Sequence, residues 1–244
     1  MTLVRCLRVA MLALSVVSLG ETTGLCSDPL PPDYGGGFFP PSALSAKASE
    51  GIRKNLNRYA RSFSDCYRKA VTNVFHGAPD ELSGCLARAE QHYETAAQRF
   101  VSLGWVPDCL DQDQLSADLA TFFATIEAQV WCDETSGVAL PAQFGSGFVP
   151  SNNSMRLGEG GVLGDAASHA TTVSGCYLHG VTLLGHNLPD GVATCVERAQ
   201  ATYGSQIDNL EVFSIVPSCL DPSAQREAWD DYIKGLNAQL YCAS

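Results

Sequence analysis

The segment Cys66–Cys132 opens with Cys-Tyr-Arg-Lys and contains cysteines at positions 66, 85, 109 and 132. A shift of 110 positions places each of them on another cysteine, at 176, 195, 219 and 242. The same shift, without a gap, aligns the Val-Pro-x-Cys-Leu-Asp motif at 106–111 with its copy at 216–221. Because self-similarity at one fixed period is typical of repeat proteins, the sequence predicts an internal duplication.

The first twenty residues have the pattern of a secretory signal peptide. Arg5 and Arg8 supply a positive start, an apolar run follows at 9–19, and Ser18 and Gly20 suit a cleavage site. The apolar run is too short to span a bilayer. We therefore expect a secreted or periplasmic protein, exposed to the cell exterior. The chain divides into a signal peptide at 1–20, an extended leader at 21–36, a first repeat at 37–134, a linker at 135–146 and a second repeat at 147–244.

Apolar side chains recur at steps of three and four in both repeats, which predicts amphipathic helices. The first helix of repeat 1 is predicted from about Ser49 to Phe75, and two more follow Pro79 and Asp111. In repeat 2 the glycines at 158, 160, 161 and 164 would each weaken a helix, so its first helix is expected to start near Asp165. No alternation typical of strands is present. The predicted fold is all-α, with two tandem three-helix units stapled by disulfides.

Export predicts that the cysteines are oxidised. Cys109 and Cys132 bracket a helix roughly 30 Å long, and Cys85 and Cys109 bracket another, so neither pair can meet the distance that a disulfide requires. Within a repeat this leaves 85–132 with 66–109, and 195–242 with 176–219. The pairs 66–109 and 176–219 need either a sliding of the first helix or, instead, bonds between repeats. Cys26 is left over, as a lipid-attachment site, an intermolecular disulfide that makes a dimer, or an idle thiol.

Two recurring histidine–aspartate pairs are the sharpest polar signal. His76 and Asp80 lie at the first interhelical turn of repeat 1, and His186 and Asp190 lie at the same turn of repeat 2. Such a pair can act as a general base with the group that orients it. Each residue is equally explained by a helix end, because imidazolium suits a C-terminus and carboxylate an N-terminus. The ligand spacing of a metal site and the motifs of a haem or phosphate-binding cofactor are absent, so no metal or cofactor is expected.

The chain is acidic, with a net charge of −11, and we do not expect it to bind nucleic acid. The first repeat nevertheless has nine basic and eleven acidic residues at 37–132, whereas 147–242 has four and ten. Six of the basic residues form a stripe on the first helix: Arg53, Lys54, Arg58, Arg61, Arg68 and Lys69. This stripe is interpreted as a solvated face, or as a surface that meets the acidic second repeat or an anionic partner outside the cell.

Two smaller features belong to the loops. Gly37-Phe38 and Gly147-Phe148 are interpreted either as aromatic plugs that seat the incoming chain or as a binding edge. Asn152, in Asn-Asn-Ser, is a formal acceptor for N-glycosylation.

The motifs Gly-Gly-Phe-Phe-Pro-Pro at 36–41, Cys66-Tyr-x-Lys69 and Pro-x-Cys-Leu-Asp resemble those of a group of secreted bacterial cysteine-rich helical proteins. The resemblance covers both repeats. Members often have a further cysteine pair, at positions that here are occupied by Ser49 and Val106. The resemblance implies a disulfide-rich helical fold and implies no activity.

The pattern favours a secreted, non-catalytic protein that binds or scaffolds an extracellular or periplasmic partner. The alternative is a secreted hydrolase-like enzyme that uses the His and Asp residues at the two turns.

Overall fold

A computed structural model describes residues 28–40, 42–132 and 134–242 of the chain. It confirms the all-α prediction, and the β-pairing among these residues consists of the isolated bridges Pro29–Phe38 and Ala139–Phe148. No helix within the described ranges is long and apolar enough to cross a membrane. The helices are α1 (Ala43–Phe75), α2 (Leu82–Ser102), α3 (Gln112–Val130), α4 (Asn153–Gly185), α5 (Val192–Val212) and α6 (Pro222–Leu240).

Each helix of the second half begins and ends 110 positions after its counterpart in the first half. Polar N-caps fix most of the starts. Ser42 forms a capping box at α1, and the side chain of Asn152 accepts the backbone N–H of Met155 at α4. Asp111 and Asp221 accept two backbone N–H groups each at the starts of α3 and α6. The apolar stripe predicted for the first helix is buried in α1 from Ile52 to Val71.

The predicted late start of the first helix in repeat 2 is wrong, because α4 runs unbroken from Asn153. Its glycines permit close packing. A Cβ atom at Gly158 would overlap the backbone carbonyl of Ile215, and one at Gly180 would overlap the hydroxyl of Tyr34. The helix-propensity cost of about 1 kcal/mol per glycine is therefore offset by contacts that a larger residue would prevent.

The long helices α1 and α4 pack antiparallel at the centre. The first half of α1 bonds the second half of α4 through Arg53 and Ser174, while Thr72 near the end of α1 bonds Arg156 near the start of α4. Helix α2 flanks α1, and α5 flanks α4. Helices α3 and α6 meet through an aromatic cluster in which Phe122 stacks on Tyr232 at 4.4 Å. The buried apolar residues of both halves form one continuous core.

All eight repeat cysteines are paired, but the predicted pairing is wrong. Cys66 bonds Cys85 and Cys176 bonds Cys195, each with a sequence separation of 19 residues. The other two disulfides cross between the halves and join Cys109 to Cys242 and Cys132 to Cys219. The pairs 85–132, 66–109, 195–242 and 176–219 therefore do not form. Helix α3 does hold Cys109 and Cys132 apart, as expected, and each finds its partner in the other half.

The aromatic plugs lie a few residues before the predicted Gly-Phe positions. Tyr34 and Phe144 end short 3-10 helices and are almost fully buried, whereas Phe38 and Phe148 are partly exposed. Tyr34 precedes α1 but its ring packs on Tyr177 of α4, and Phe144 precedes α4 but packs on Tyr67 of α1. Each incoming segment therefore closes the opposite half, as the crossed disulfides do.

The predicted signal peptide and the first part of the leader (21–27), which contains Cys26, lie outside the described residues.

Candidate functional site: a basic cleft between α1 and α4

The predicted polar residues at the two interhelical turns lie at helix ends: each histidine ends one helix, and each aspartate accepts a backbone N–H at the start of the next. Asp80 accepts the backbone N–H of Leu82 at 2.8 Å with Oδ1 and the side-chain amide of Gln143 at 2.6 Å with Oδ2. His76 is exposed, with its ring centroid 5.1 Å from that of Phe75. Asp80 thus closes the start of α2 and binds the segment that carries Phe144.

The turn of the second half repeats this arrangement. Asp190 accepts the backbone N–H of Val192 at 3.1 Å, and its other oxygen accepts the hydroxyl of Tyr34 at 3.2 Å. Burial and the adjacent Asp190 carboxylate raise the pKa of Tyr34 far above its usual value. Within the described residues no hydrogen bond joins His76 to Asp80 or His186 to Asp190. The structure therefore places these four residues at helix ends without forming a His–Asp pair.

The predicted basic stripe separates into buried, helix-bridging and open positions. Lys54 pairs with Glu50 on its own helix, Arg58 is exposed, and Arg61 donates to Thr171 of α4 at 3.2 Å. Arg53 is fully buried, and Arg68 and Lys69 are exposed near the start of α4. Only Arg68 and Lys69 therefore remain as candidates for binding an external group beside α4.

Arg53 is a structural residue. One guanidinium nitrogen donates to the backbone and hydroxyl oxygens of Ser174, at 3.3 and 3.2 Å, and another donates to the side chain of Asn237. The amide of Asn237 in turn donates to the backbone carbonyl of Tyr34 at 2.8 Å. Burial lowers the pKa of Arg53, although the nearby Tyr241 opposes this shift. The buried cation thus ties α1 to α4, α6 and the N-terminal plug.

The basic cleft is the depression of about 320 Å³ between the end of α1 and the start of α4. Three cationic side chains line it, two from α1 and one from α4, beside Thr72 and the edge of Trp131. Its lining residues are Asp65, Arg68, Lys69, Thr72, Trp131, Arg156, Leu157, Gly160 and Gly161.

Glycines in α4 make room for Arg68. An ideal Cβ at Gly164 would lie 2.9 Å from a terminal nitrogen of Arg68, and one at Gly160 would lie 3.8 Å from its Cγ. The side chain of Arg68 is 47% exposed, so its guanidinium lies along the glycine face of α4 and remains open to water. The glycine-rich segment, expected to be a loop, is thus the helical floor of this cleft.

Arg156 is held in place by α1 and by its own helix. It donates to the hydroxyl of Thr72 at 3.0 Å and to the side chain of Asn153 at 2.7 and 3.1 Å. Its guanidinium carbon lies 5.7 Å from the ring centre of Phe75, within cation–π range. None of these partners is anionic, so the charge of Arg156 is not neutralised by its hydrogen bonds.

Acidic groups offset the three cations only in part. Asp65 lies 3.6 Å from Arg68, but its side chain is 75% exposed and water screens the pair. Asp165, half-buried in α4, is a second carboxyl group near Arg68; burial raises its pKa and Arg68 opposes that shift. A third, Glu159, is fully buried beside Gly160 and accepts the backbone N–H of Cys132 at 3.1 Å. Lys69 has no ion-pair partner among the described residues. The residues that line the cleft therefore include three basic side chains and one acidic side chain.

A second cleft lies at the other end of the α1–α4 pair, between the start of α1 and the end of α4. Shifted by 110 positions, Arg68 becomes Leu178 and Arg156 becomes Ala46. Leu178 and Ala46 both line this second cleft of about 510 Å³, which also has Lys47 and Glu50 in its lining. The helix pair therefore packs at that end without either cation. Hence the cations of the basic cleft are not needed to hold α1 against α4.

Sequence reasoning found Arg68 and Lys69 but not Arg156. The available signal was one of the four basic residues of an otherwise acidic repeat, two residues before the first of its four closely spaced glycines. It was missed because that region was expected to be a loop. Guanidinium and ammonium groups around an open cleft can bind a carboxylate, sulfate or phosphate group through charge-assisted hydrogen bonds.

Comparisons with known proteins add no identification. No family model matches the chain, no curated protein matches it, and no solved structure matches its fold. The resemblance to secreted cysteine-rich helical proteins therefore stays a prediction.

Proposed function

We propose that this protein is an exported, non-catalytic binding protein whose basic cleft takes an anionic ligand. The observation that carries the proposal is the cationic set Arg68, Lys69 and Arg156 around an open depression, at positions where the other half of the fold has Leu178, His179 and Ala46. Export is supported by the signal-like residues 1–20 and by four disulfides, which form and persist in oxidising compartments.

The size of the cleft limits the class of ligand. A volume of about 320 Å³ is at the lower end for small-molecule sites, so the cleft suits one anionic group with a small organic body. Arg68 and Arg156 reach the cleft from different helices. Two guanidinium forks and one ammonium group favour phosphate or sulfate over a single carboxylate, because those anions offer more acceptor oxygens.

The proposal is tested by calorimetry and thermal shift with inorganic phosphate and with sulfate. The double variant Arg68→Leu/Arg156→Ala gives the cleft the residues that its counterpart already has, so it should fold. We expect saturable 1:1 binding to the wild-type protein, and an affinity about tenfold or more weaker in the double variant, equal to about 1.4 kcal/mol or more.

The control removes two exposed arginines elsewhere, Arg58→Ser and Arg88→Ala, so that the net charge is the same in both variants. Binding should survive in this control. Equal losses in the two double variants would mean that the anions respond only to net charge, and no saturable binding in the wild type would also contradict the proposal.

We also infer that the two halves arose by duplication of a chain that formed a disulfide-exchanged dimer. In support, the helix bounds recur at 110 positions, and the crossed disulfides Cys109–Cys242 and Cys132–Cys219 are related by the same shift.

A further inference from the structure

The start of α4 and the end of α5 form an exposed apolar corner that adjoins the basic cleft. Its side chains are Leu157, Val212 and Phe213, which are 49%, 78% and 73% exposed. Val212 and Phe213 are the most exposed large apolar residues in the part of the chain that the structure describes. Single exposed apolar residues are common on protein surfaces, but a group of them beside polar residues marks a binding surface.

Contacts between α4 and α5 place the apolar corner against one wall of the cleft. Leu157 and Gly161 both line the cleft, and an ideal Cβ at Gly161 would lie 3.1 Å from a methyl carbon of Leu210 in α5. The short turn at 186–191 makes α5 antiparallel to α4. Phe213, three residues after Leu210, therefore lies about 4.5 Å further toward the start of α4. Leu157, four residues before Gly161, lies about 6 Å in the same direction.

The cationic and apolar parts of this surface are adjacent but separate. The cleft has three basic residues and one acidic residue in its lining, and the basic side chains are exposed or half-buried. The three side chains of the apolar corner are uncharged, and their exposed neighbour Glu211 is acidic. An anionic group is therefore favoured in the cleft and disfavoured at the corner. A single molecule that spans both parts has an anionic group at one end and an apolar chain at the other.

The opposite end of the molecule has a comparable apolar surface without the arginines. Val101 and Leu103, at the end of α2, are 53% and 46% exposed there. The cleft at that end has Leu178 and Ala46 where the basic cleft has its two arginines, and it has one basic residue, Lys47, in place of three. The molecule thus provides its own control, an exposed apolar surface beside a cleft that lacks the cationic set.

We propose that the ligand of the basic cleft is a dissolved single-chain amphiphile with a phosphate or sulfate head, whose alkyl chain lies on the apolar corner. This inference rests on the function proposed above and names the class of ligand. The head binds the three basic side chains, and the chain covers Leu157, Val212 and Phe213. A tenfold gain in affinity from the chain equals about 1.4 kcal/mol, which requires roughly 55 Å² of apolar surface to be buried.

The net charge of the protein favours a single dissolved molecule over a membrane surface. An anionic bilayer faces a whole side of the protein, and a chain with a net charge of −11 is repelled by it. A dissolved amphiphile interacts mainly with charges within one Debye length, which is about 8 Å at physiological ionic strength. Within that range of its head lie the basic side chains of the cleft.

The test measures the affinity of the full chain for inorganic phosphate, octyl phosphate and uncharged octyl glucoside by calorimetry, with both octyl compounds below their critical micelle concentrations. We expect octyl phosphate to bind about tenfold or more tightly than inorganic phosphate, and more tightly than octyl glucoside. The double variant Val212→Ser/Phe213→Ser should lose this gain and keep its affinity for inorganic phosphate. Because both residues are exposed, the variant should fold, and circular dichroism checks this.

The matched control, Val101→Ser/Leu103→Ser, removes two exposed apolar side chains from the end that lacks the arginines, and it should bind octyl phosphate as the wild type does. Equal losses in the two variants, or octyl glucoside binding as tight as that of octyl phosphate, would overturn the proposal. So would binding to phosphatidylglycerol vesicles without binding of octyl phosphate.

Inorganic phosphate separates this inference from the function on which it rests. If inorganic phosphate binds and octyl phosphate binds no more tightly, the amphiphile is excluded and the anion-binding function stands. If neither compound binds, both proposals are overturned.

Discussion

Glu127 is a fully buried carboxyl group near the end of α3, at the position that corresponds to Asn237 in α6. Its Oε2 accepts the indole N–H of Trp131 at 2.6 Å, and its Oε1 has no hydrogen-bond partner among the described residues. Burial raises the pKa of Glu127 well above the ordinary value of 4.5, although the bond from Trp131 opposes this. A buried carboxyl group without a cation is favoured in its protonated form.

The first prediction concerns the pH dependence that Glu127 causes. Because its pKa is higher in the folded protein, the folded state binds more protons than the unfolded chain above pH 4.5. Its contribution to stability is therefore complete below that pH and is lost as pH rises through the folded pKa. Glu127→Gln keeps an acceptor for the indole N–H of Trp131, and because glutamine does not ionise it removes the stability lost at high pH. We expect a gain of about 1 kcal/mol or more at pH 7 and almost none at pH 4.

Urea denaturation of wild type and Glu127→Gln across this pH range measures the effect. Glu197→Gln, an exposed change on α5, is the control and should leave the difference between pH 4 and pH 7 unchanged. Parallel pH curves for the wild type and Glu127→Gln would show that the carboxyl group is ionised in the folded state.

At this scale the sequence predicted roles for residues at helix ends and left open which residues contact the other half. Asp80 and Asp190 close helix starts, as their positions beside Pro79 and Pro189 indicate. The stripe that contains Arg53 is interpreted as a solvated face or as a surface that meets the second repeat. Arg53 fits the second interpretation, because it is buried and donates to Ser174 and Asn237 of the other half. Helical periodicity identifies which residues share a face, but it does not identify the element that covers that face.

Helix α4 illustrates how tertiary packing overrides helix propensity. Gly158, Gly161 and Gly164 face Ile215, Leu210 and Arg68 so closely that an added Cβ would contact them. Gly175, in the same helix, faces open space. Apolar periodicity was sufficient to place the other helices, because their sequences contain few residues that oppose a helix. It was insufficient here, because the reason for each glycine lies on another element.

The second prediction separates these two kinds of glycine. Gly158→Ala forces a methyl group against the backbone of Ile215, which cannot move away as a flexible side chain could, and should destabilise the protein by about 1–3 kcal/mol. Gly175→Ala should stabilise it by up to about 1 kcal/mol, because alanine favours the helix and meets nothing. Thermal melts followed by circular dichroism at 222 nm measure both. Equal effects of the two substitutions would contradict the packing role of Gly158.

On the scale of the whole molecule, each half is held by groups of the other half, through disulfides and through buried aromatic side chains. Cys109 and Cys132 bond to the second half, and Tyr34 and Phe144 each close the half that they do not precede. The sequence could exclude a bond between Cys109 and Cys132 by helix length. It could not decide whether each cysteine bonds within its own half or with the other half, because equivalent cysteines lie at the same positions relative to the helices of both halves.

The third prediction tests this exchange directly. A specific protease site inserted at Gly137, in an exposed part of the segment between α3 and α4, lets the chain be cut between its halves. Because Cys109–Cys242 and Cys132–Cys219 both cross the cut, the two fragments should stay together in denaturing electrophoresis without reductant and separate only after reduction. Replacing both Cys109 and Cys132 by serine should release the fragments without reductant, whereas replacing Cys66 and Cys85 should not.

Loss of the crossed disulfides should also lower the melting temperature more than loss of Cys66–Cys85. The crossed disulfides close loops of 87 and 133 residues, whereas Cys66–Cys85 closes a loop of 19 residues, for which the chain-entropy model gives about 3 kcal/mol. Separation of the wild-type fragments before reduction would show that the disulfides form within each half.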